Sequence, residues 1–258
     1  MPLHGTDVRH QALTLLRDGV RNSDVARRLN VPAGTVSYWK HLDRARRGET
    51  GGRHEPQCPR CHDRPLDEPA YSYLLGLYLG DGHISDYPGQ GAPSLMVTCA
   101  ESWPGLMDLC ELAMRAVFPG NSVCRVQRSG CRNLKLYSRH LPCMFPQHGP
   151  GKKHERIIEL AGWQQAIVDA HPWEFVRGLL HSDGCRLTNW TTRVVQGERR
   201  RYEYPRYFFT NVSGDIRRLY TDTLDRLGVA WRQANAQNVS VARKADVALL
   251  DAHVGPKH

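Results

Sequence analysis

The chain has no run of residues long and apolar enough to cross a membrane, and its start, Met1-Pro-Leu-His-Gly-Thr-Asp7, lacks the basic and apolar regions of a secretory signal. A cytoplasmic, nucleoid-associated protein is the expectation. That absence decides how the eight cysteines are read. Without an export signal they are better read as thiols or metal ligands than as a disulfide framework. An acidic surplus is missing too: Lys and Arg number 35 against 26 Asp and Glu, for a formal net charge of +9. Many of the positive groups are arginines, whose planar fork suits phosphates and guanine edges, so a polyanionic partner is expected. A second Cys-x-x-Cys is also absent, so the pair Cys58 and Cys61 cannot find its remaining metal ligands in a matching knuckle.

At 258 residues, 40% of them apolar, the chain can bury one substantial core with a small module attached, or form two modest domains. Apolar positions Ala12, Leu13, Leu15 and Leu16 predict a helix over residues 8 to 18. Ser23 can cap a second helix, Asp24 to Leu29, and Asn30-Val-Pro-Ala-Gly34 makes a turn into a third that runs from Gly34 or Thr35 through Arg47. This order resembles the helix-turn-helix of bacterial DNA-binding proteins, whose last helix enters the major groove. The resemblance implies base-edge or backbone contacts from Thr35, Ser37, Tyr38 and Lys40, with Arg44, Arg46 and Arg47 on phosphates. Residues 47 to 54 are charged and glycine-rich and read as a linker. Cys58 and Cys61 then offer one edge of a tetrahedral zinc site. His54 and His62 are local candidates for its other ligands, and Cys99, Cys110, Cys124, Cys131, Cys143 and Cys185 are distant ones. A second possible cluster comprises Cys143, His148 and His154.

Two later stretches are one stretch written twice: Tyr73-Leu-Leu-Gly-Leu-Tyr-Leu-Gly-Asp-Gly82 and Phe175-Val-Arg-Gly-Leu-Leu-His-Ser-Asp-Gly184. Gly76 and Gly80, like Gly178 and Ser182, fall one helical turn apart, so each helix would present a nearly side-chain-free stripe to the other. Packing them together would bring Asp81 and Asp183 to one place, where two carboxylates repel or hold a divalent cation. After each stretch the order is two strands, a helix and two strands. In the first copy residues 122 to 127 and 134 to 138 read as strands flanking a turn at 128 to 133, with Arg125, Arg128, Arg132 and Lys135 supplying a basic sheet face. In the second copy a turn is expected at Gln196 to Arg201, followed by a strand from Tyr204 to Asn211 that carries Arg206. Further strands are expected at 229 to 233 and 239 to 243. The implied fold is a duplicated α+β unit with two sheets side by side. The boundaries are a helix-turn-helix domain over 1–48, a linker with the cysteine knuckle over 49–69, and repeats over 70–171 and 172–258.

Residues 74 to 82 and 176 to 184 resemble the two copies of the LAGLIDADG motif of homing endonucleases, intron maturases and related DNA-binding regulators. The resemblance, which covers about residues 70 to 255, implies the two-motif, single-chain form of that fold, two αββαββα units. The paired helices would form the interface between the units, and two saddle-shaped antiparallel sheets would straddle double-stranded DNA. It further implies a monomer that cleaves both strands, with Asp81 and Asp183 binding Mg²⁺. Leu79 and His181 stand at the sixth motif position, which the family varies. A basic residue late in each sheet would polarise water or phosphate: Lys135 in the first repeat, Arg243 or Lys244 in the second. Arg243 also joins the DNA contacts. The fused N-terminal helices point equally to a transcriptional regulator that binds DNA on this scaffold without cleaving it.

Overall fold

The structure, a computed structural model, describes residues 5–49, 58–85, 91–255 and 257. His54, a candidate zinc ligand, lies outside them. The chain separates into two compact units, Met1–Pro56 and Gln57–His258.

In the first unit α1 (Thr6–Arg17), α2 (Asn22–Leu29) and α3 (Ala33–Arg46) close around Ala12, Leu16, Val25, Val31, Val36 and Trp39. The α2 helix starts one residue before Ser23, and Arg21 occupies its N-cap without a side-chain cap bond. Asn30 ends that helix in the left-handed region (φ 50°), the conformation Asn tolerates best after Gly, and so turns the chain toward α3 within three residues. Asp43 is buried on α3 but paired with Arg17 at 2.6 Å and Arg47 at 3.1 Å, and the Arg17 hydrogen bond holds its carboxyl below the usual range.

The second unit is a mixed α/β body with two four-stranded antiparallel sheets. A short helix α4 (Pro59–His62) leads to α5 (Glu68–Leu79), which Asp67 caps by accepting from the Ala70 amide. Every residue from Tyr71 to Leu79 is buried, so α5 is a central element rather than a surface one. Then come β1 (Gly82–Ser85), β2 (Ser94–Ala100), α6 (Pro104–Val117), β3 (Val123–Arg128) and β4 (Cys131–Tyr137), with sheet order β1-β2-β4-β3. The helices α7 (Leu141–Met144) and α8 (Gly162–Ala170) bridge to α9 (Pro172–Asp183). Next follow β5 (Gly184–Val195), β6 (Glu198–Thr210), α10 (Gly214–Arg226), β7 (Arg232–Gln233), β8 (Asn238–Val241) and α11 (Lys244–His253), in sheet order β5-β6-β8-β7. The identical strand order in both sheets is the structural counterpart of the written repeat.

Two expected turns are shorter than the sequence suggested. Gln196 and Gly197 both have positive φ (52° and 84°), which builds a two-residue hairpin loop and leaves Arg199, Arg200 and Arg201 inside β6. Ser129 and Gly130 do the same work between β3 and β4. The strand expected over 229 to 233 is reduced to Arg232–Gln233, because Val229 is drawn into the core beside α10.

A candidate metal and nucleic-acid site at the paired helix ends

The helices α5 and α9 touch through backbone. A Cβ built on Gly178 would lie 2.2 Å from the Tyr73 carbonyl oxygen and 3.0 Å from Gly76 Cα, while one on Gly76 would lie 2.6 Å from the Phe175 oxygen and 2.8 Å from the Leu179 nitrogen. Further along, a Cβ on Gly80 would meet Ser182 Oγ at 2.0 Å and come within 3.1 Å of an Asp183 carboxylate oxygen. The stripe of small residues therefore sets how near the two motif ends can come. Neither Asp-Gly pair is a left-handed helix stop. Gly184 is extended (φ −102°, ψ 162°). Each glycine opens a strand that turns back beneath its own helix, and added Cβ atoms would sit 2.4 Å from Tyr78 Cα at Gly82 and 2.7 Å from Leu180 Cα at Gly184.

Burial pushes the Asp183 carboxyl up to about 6, and the charge of Asp81 pushes in the same direction. Asn211 Nδ2 donates to Asp183 Oδ2 at 2.6 Å, which partly offsets the rise. Asp81 is exposed at the rim, yet the protein around it still raises its carboxyl, against the charges of Lys257 and Lys153. These lysines are the cations of the site. Lys153 Nζ donates to the carbonyl oxygens of Tyr78 (2.7 Å), Leu79 (2.9 Å), Gly80 (2.5 Å) and Gly82 (2.8 Å), at the negative end of the α5 dipole. Lys257 Nζ donates to the Ser182 carbonyl at 3.1 Å, the corresponding end of α9. Burial draws the Lys153 ammonium down to about 8, while both aspartates hold it up. A cleft of about 730 Å³ opens over this ground, lined among others by His83, His148, Lys153, Asp183 and Asn211.

Neither Lys135 nor Lys244 is among the cations acting on the aspartates. Lys135 lies on β4 with Nζ 5.9 Å from the Tyr137 ring, and Lys244 is exposed at the start of α11. Lys153 opens a single 3₁₀ turn (Lys153–Glu155) and Lys257 lies in an irregular segment, both too short for periodicity to mark. A signal existed nonetheless: Gly149-Pro-Gly-Lys-Lys-His154 returns as Gly255-Pro-Lys-His258, at nearly the same distance beyond each aspartate.

The basic sheet face also divides. Strand alternation puts Arg125 and Arg132 in register with the buried Leu134 and Cys99, on the side covered by α6, where Arg125 pairs with Asp108 and Glu111 at 2.6 Å and Arg132 stands 3.8 Å from Glu101. Arg128 and Lys135 fall on the opposite, open face. In the second sheet Arg206 lies on the open face with its guanidinium 5.8 Å from the Tyr204 ring and 5.1 Å from Phe208. Arg243 is exposed, 3.6 Å from Asp246. On α3, Tyr38 and Arg44 are exposed and Thr35 is half-buried, whereas Ser37 and Lys40 hydrogen-bond to Asn22 of α2.

No family model and no curated protein matches the chain. Among solved structures it is similar to the homing endonuclease I-DmoI in complex with DNA and Mn, with 16% identity over 74% of this chain and 98% of that one, at a TM-score of 0.46. It is also similar to the LAGLIDADG meganuclease I-AabMI bound to uncleaved DNA (10% identity, 71% and 82% covered, TM-score 0.46) and to the homing endonuclease I-WcaI bound to its DNA recognition sequence (10%, 74% and 83%, TM-score 0.47).

Proposed function

We propose that the chain is a sequence-specific double-strand DNA endonuclease that holds divalent metal, such as Mg²⁺, at Asp81 and Asp183. The observation that carries this reading is the carboxylate pair at the ends of two backbone-packed helices, where two lysines leave the Asp183 carboxyl still raised to about 6. Two half-dehydrated carboxylates brought to one place fit a hard divalent cation, and Mg²⁺ characteristically takes one or two carboxylates and fills its remaining positions with water and phosphate oxygens. Such an ion supplies Lewis-acid activation of a phosphodiester and an acidified water. Asn211 orients Asp183, Lys153 brings positive charge to a phosphate in the cleft, and Lys257 adds its charge beside the aspartates. The first unit acts as a helix-turn-helix module with α3 in the major groove, Thr35, Tyr38 and Arg44 being its available contacts. We place the linker over 49–69 and the two repeats over 70–171 and 172–258, an internal repeat with which a monomer would suffice.

A second reading has its own support. Lys153 saturates the carbonyls at the end of α5, and Lys257 brings a second positive charge beside the aspartates. That arrangement suits a scaffold that binds DNA without cutting, as a regulator would. Selecting bound duplexes from a random library and then adding Mg²⁺ to the selected complexes separates the two. The nuclease reading expects a discrete double-strand product at the selected sequence. Specific binding with intact DNA at every Mg²⁺ concentration would leave the regulator.

The sheet alternation makes a separate prediction. Lys135→Ala and Arg206→Ala are expected to weaken binding and each lower the salt slope by about one counterion. Arg125→Ala should leave the slope unchanged and instead lower the melting temperature, because its partners Asp108 and Glu111 belong to α6. Filter binding at a series of salt concentrations, beside thermal melts, checks both halves.

A further inference from the structure

The fold joins two partial motifs that lie far apart in the sequence. Cys58 and Cys61, at the ends of a single helical turn, meet His140 and Cys143 from the turn around α7, and all four ligand atoms lie within 4.8 Å of one another. We infer that Cys58, Cys61, His140 and Cys143 form a Cys₃His zinc site that staples the chain entering the second unit to the first repeat. Ligands about 2.0–2.3 Å from a tetrahedral zinc stand roughly 3.3–3.8 Å from each other, so the set needs only small shifts to close around the ion. Cys61 Sγ and Cys143 Sγ are already 3.2 Å apart.

Backbone amides of Arg60 and Cys61 are directed at the Cys58 sulfur, which is 3% exposed. The His62 ring packs edge-on against His140 with centroids 5.3 Å apart, placing His62 behind the ligand rather than among the four. Of the distant cysteines that the sequence leaves open, only Cys143 joins the cluster among the described residues; Cys99 and Cys110 are free thiols hydrogen-bonded to each other in the core.

The need for a staple is local. Between residues 58 and 70 only Cys58 is buried, too little apolar surface to hold the segment in place. The other half of the cluster is firmly seated. The Met144 carbonyl accepts from the Tyr71 hydroxyl at 2.5 Å, and Phe145 packs on Tyr71 and Tyr78 of α5 at 6.1 and 4.6 Å between centroids. Metal at this point ties the incoming segment to the helix that leads to Asp81.

Full-length protein purified under reducing conditions without added metal should contain one equivalent of zinc by plasma mass spectrometry. Replacement by Co²⁺ should produce an intense thiolate charge-transfer band and tetrahedral ligand-field bands. Cys61→Ser, Cys143→Ser and His140→Ala should lower the metal content to about a tenth or less, whereas Cys131→Ser and His62→Ala should retain it. Should a ligand variant fail to fold, chelator titration of the wild type decides: metal loss must expose three additional reactive thiols and lower the melting temperature. Metal-free reduced protein with no cobalt band would overturn the site. So would metal content indifferent to His140 and Cys143, or a Cys61–Cys143 disulfide found in place of metal.

Discussion

Asp183→Asn is expected to abolish Mg²⁺-dependent cleavage while making the metal-free protein more stable at neutral pH. The two effects share one cause. Burial and the neighbouring Asp81 raise the Asp183 carboxyl to about 6, so at pH 7 the folded protein carries a charge it would shed at little provocation. The sign follows from linkage. An acid whose folded pKa lies above its unfolded value binds its proton more tightly when folded, so stability falls as pH rises from about 4 through about 6 and then levels off. A carboxyl lifted across that interval costs at most about 3 kcal/mol, and partial solvation brings the expected gain in Asp183→Asn to roughly 1–2 kcal/mol. Asparagine keeps an oxygen for the Asn211 amide, so the local geometry survives. Urea unfolding in chelator at pH 7.5 should show the variant above the wild type, and at pH 4 the difference should vanish. Added Mg²⁺ should stabilise the wild type alone. Loss of a group holding the metal removes several kcal/mol of transition-state stabilisation, so cleavage should fall by roughly a thousandfold or more with DNA affinity retained. A variant that is less stable than the wild type in chelator, or one that still cuts, contradicts this account of the aspartates.

What was legible in the sequence follows the range of the forces involved. The paired helices were readable because close backbone approach demands glycine, and Gly76, Gly80 and Gly178 carry that demand openly. The division between Arg125 and Arg128 was readable too: an odd separation along a strand sends side chains to opposite faces, and grouping both on one face ignored that parity. The charged run after Gln196-Gly197 looks like a loop, whereas these two residues with positive φ suffice to reverse the chain and return it to a strand. Lys153 acts from a single 3₁₀ turn and Lys257 from an irregular segment, where no periodic pattern marks the residue and only comparison of one repeat with the other points to it. The partners offered to Cys58 and Cys61 were beyond local reading, since Cys143 stands 82 residues beyond Cys61 and only the fold brings it and His140 to the pair.

The helix interface supports a second large effect and a way to separate its causes. Gly178→Ala should destabilise the second unit by about 3 kcal/mol or more, because the added methyl would stand 2.2 Å from the Tyr73 carbonyl oxygen and 3.0 Å from both Gly76 Cα and the Leu77 nitrogen. These are backbone atoms of a helix buried on all sides, so the clash is relieved only by moving α5 and α9 apart. That movement also opens the packing of Leu74, Leu77, Phe175 and Leu179, all at most 1% exposed. Gly80→Ala is a different case. Its methyl would meet Ser182 Oγ and Cβ at 2.0 and 2.4 Å, a side chain rather than a backbone. Ser182→Gly removes that obstacle. The double variant Gly80→Ala with Ser182→Gly should therefore recover most of the stability lost by Gly80→Ala alone, whereas Ser182→Gly should do nothing for Gly178→Ala. A double-mutant cycle in urea measures the coupling directly. Because Asp81 and Asp183 follow Gly80 and Ser182 in the chain, the same cycle read in Mg²⁺-dependent cleavage tests whether helix spacing sets the metal geometry. Recovery of stability without recovery of cleavage would place the catalytic tolerance of this interface well below its folding tolerance.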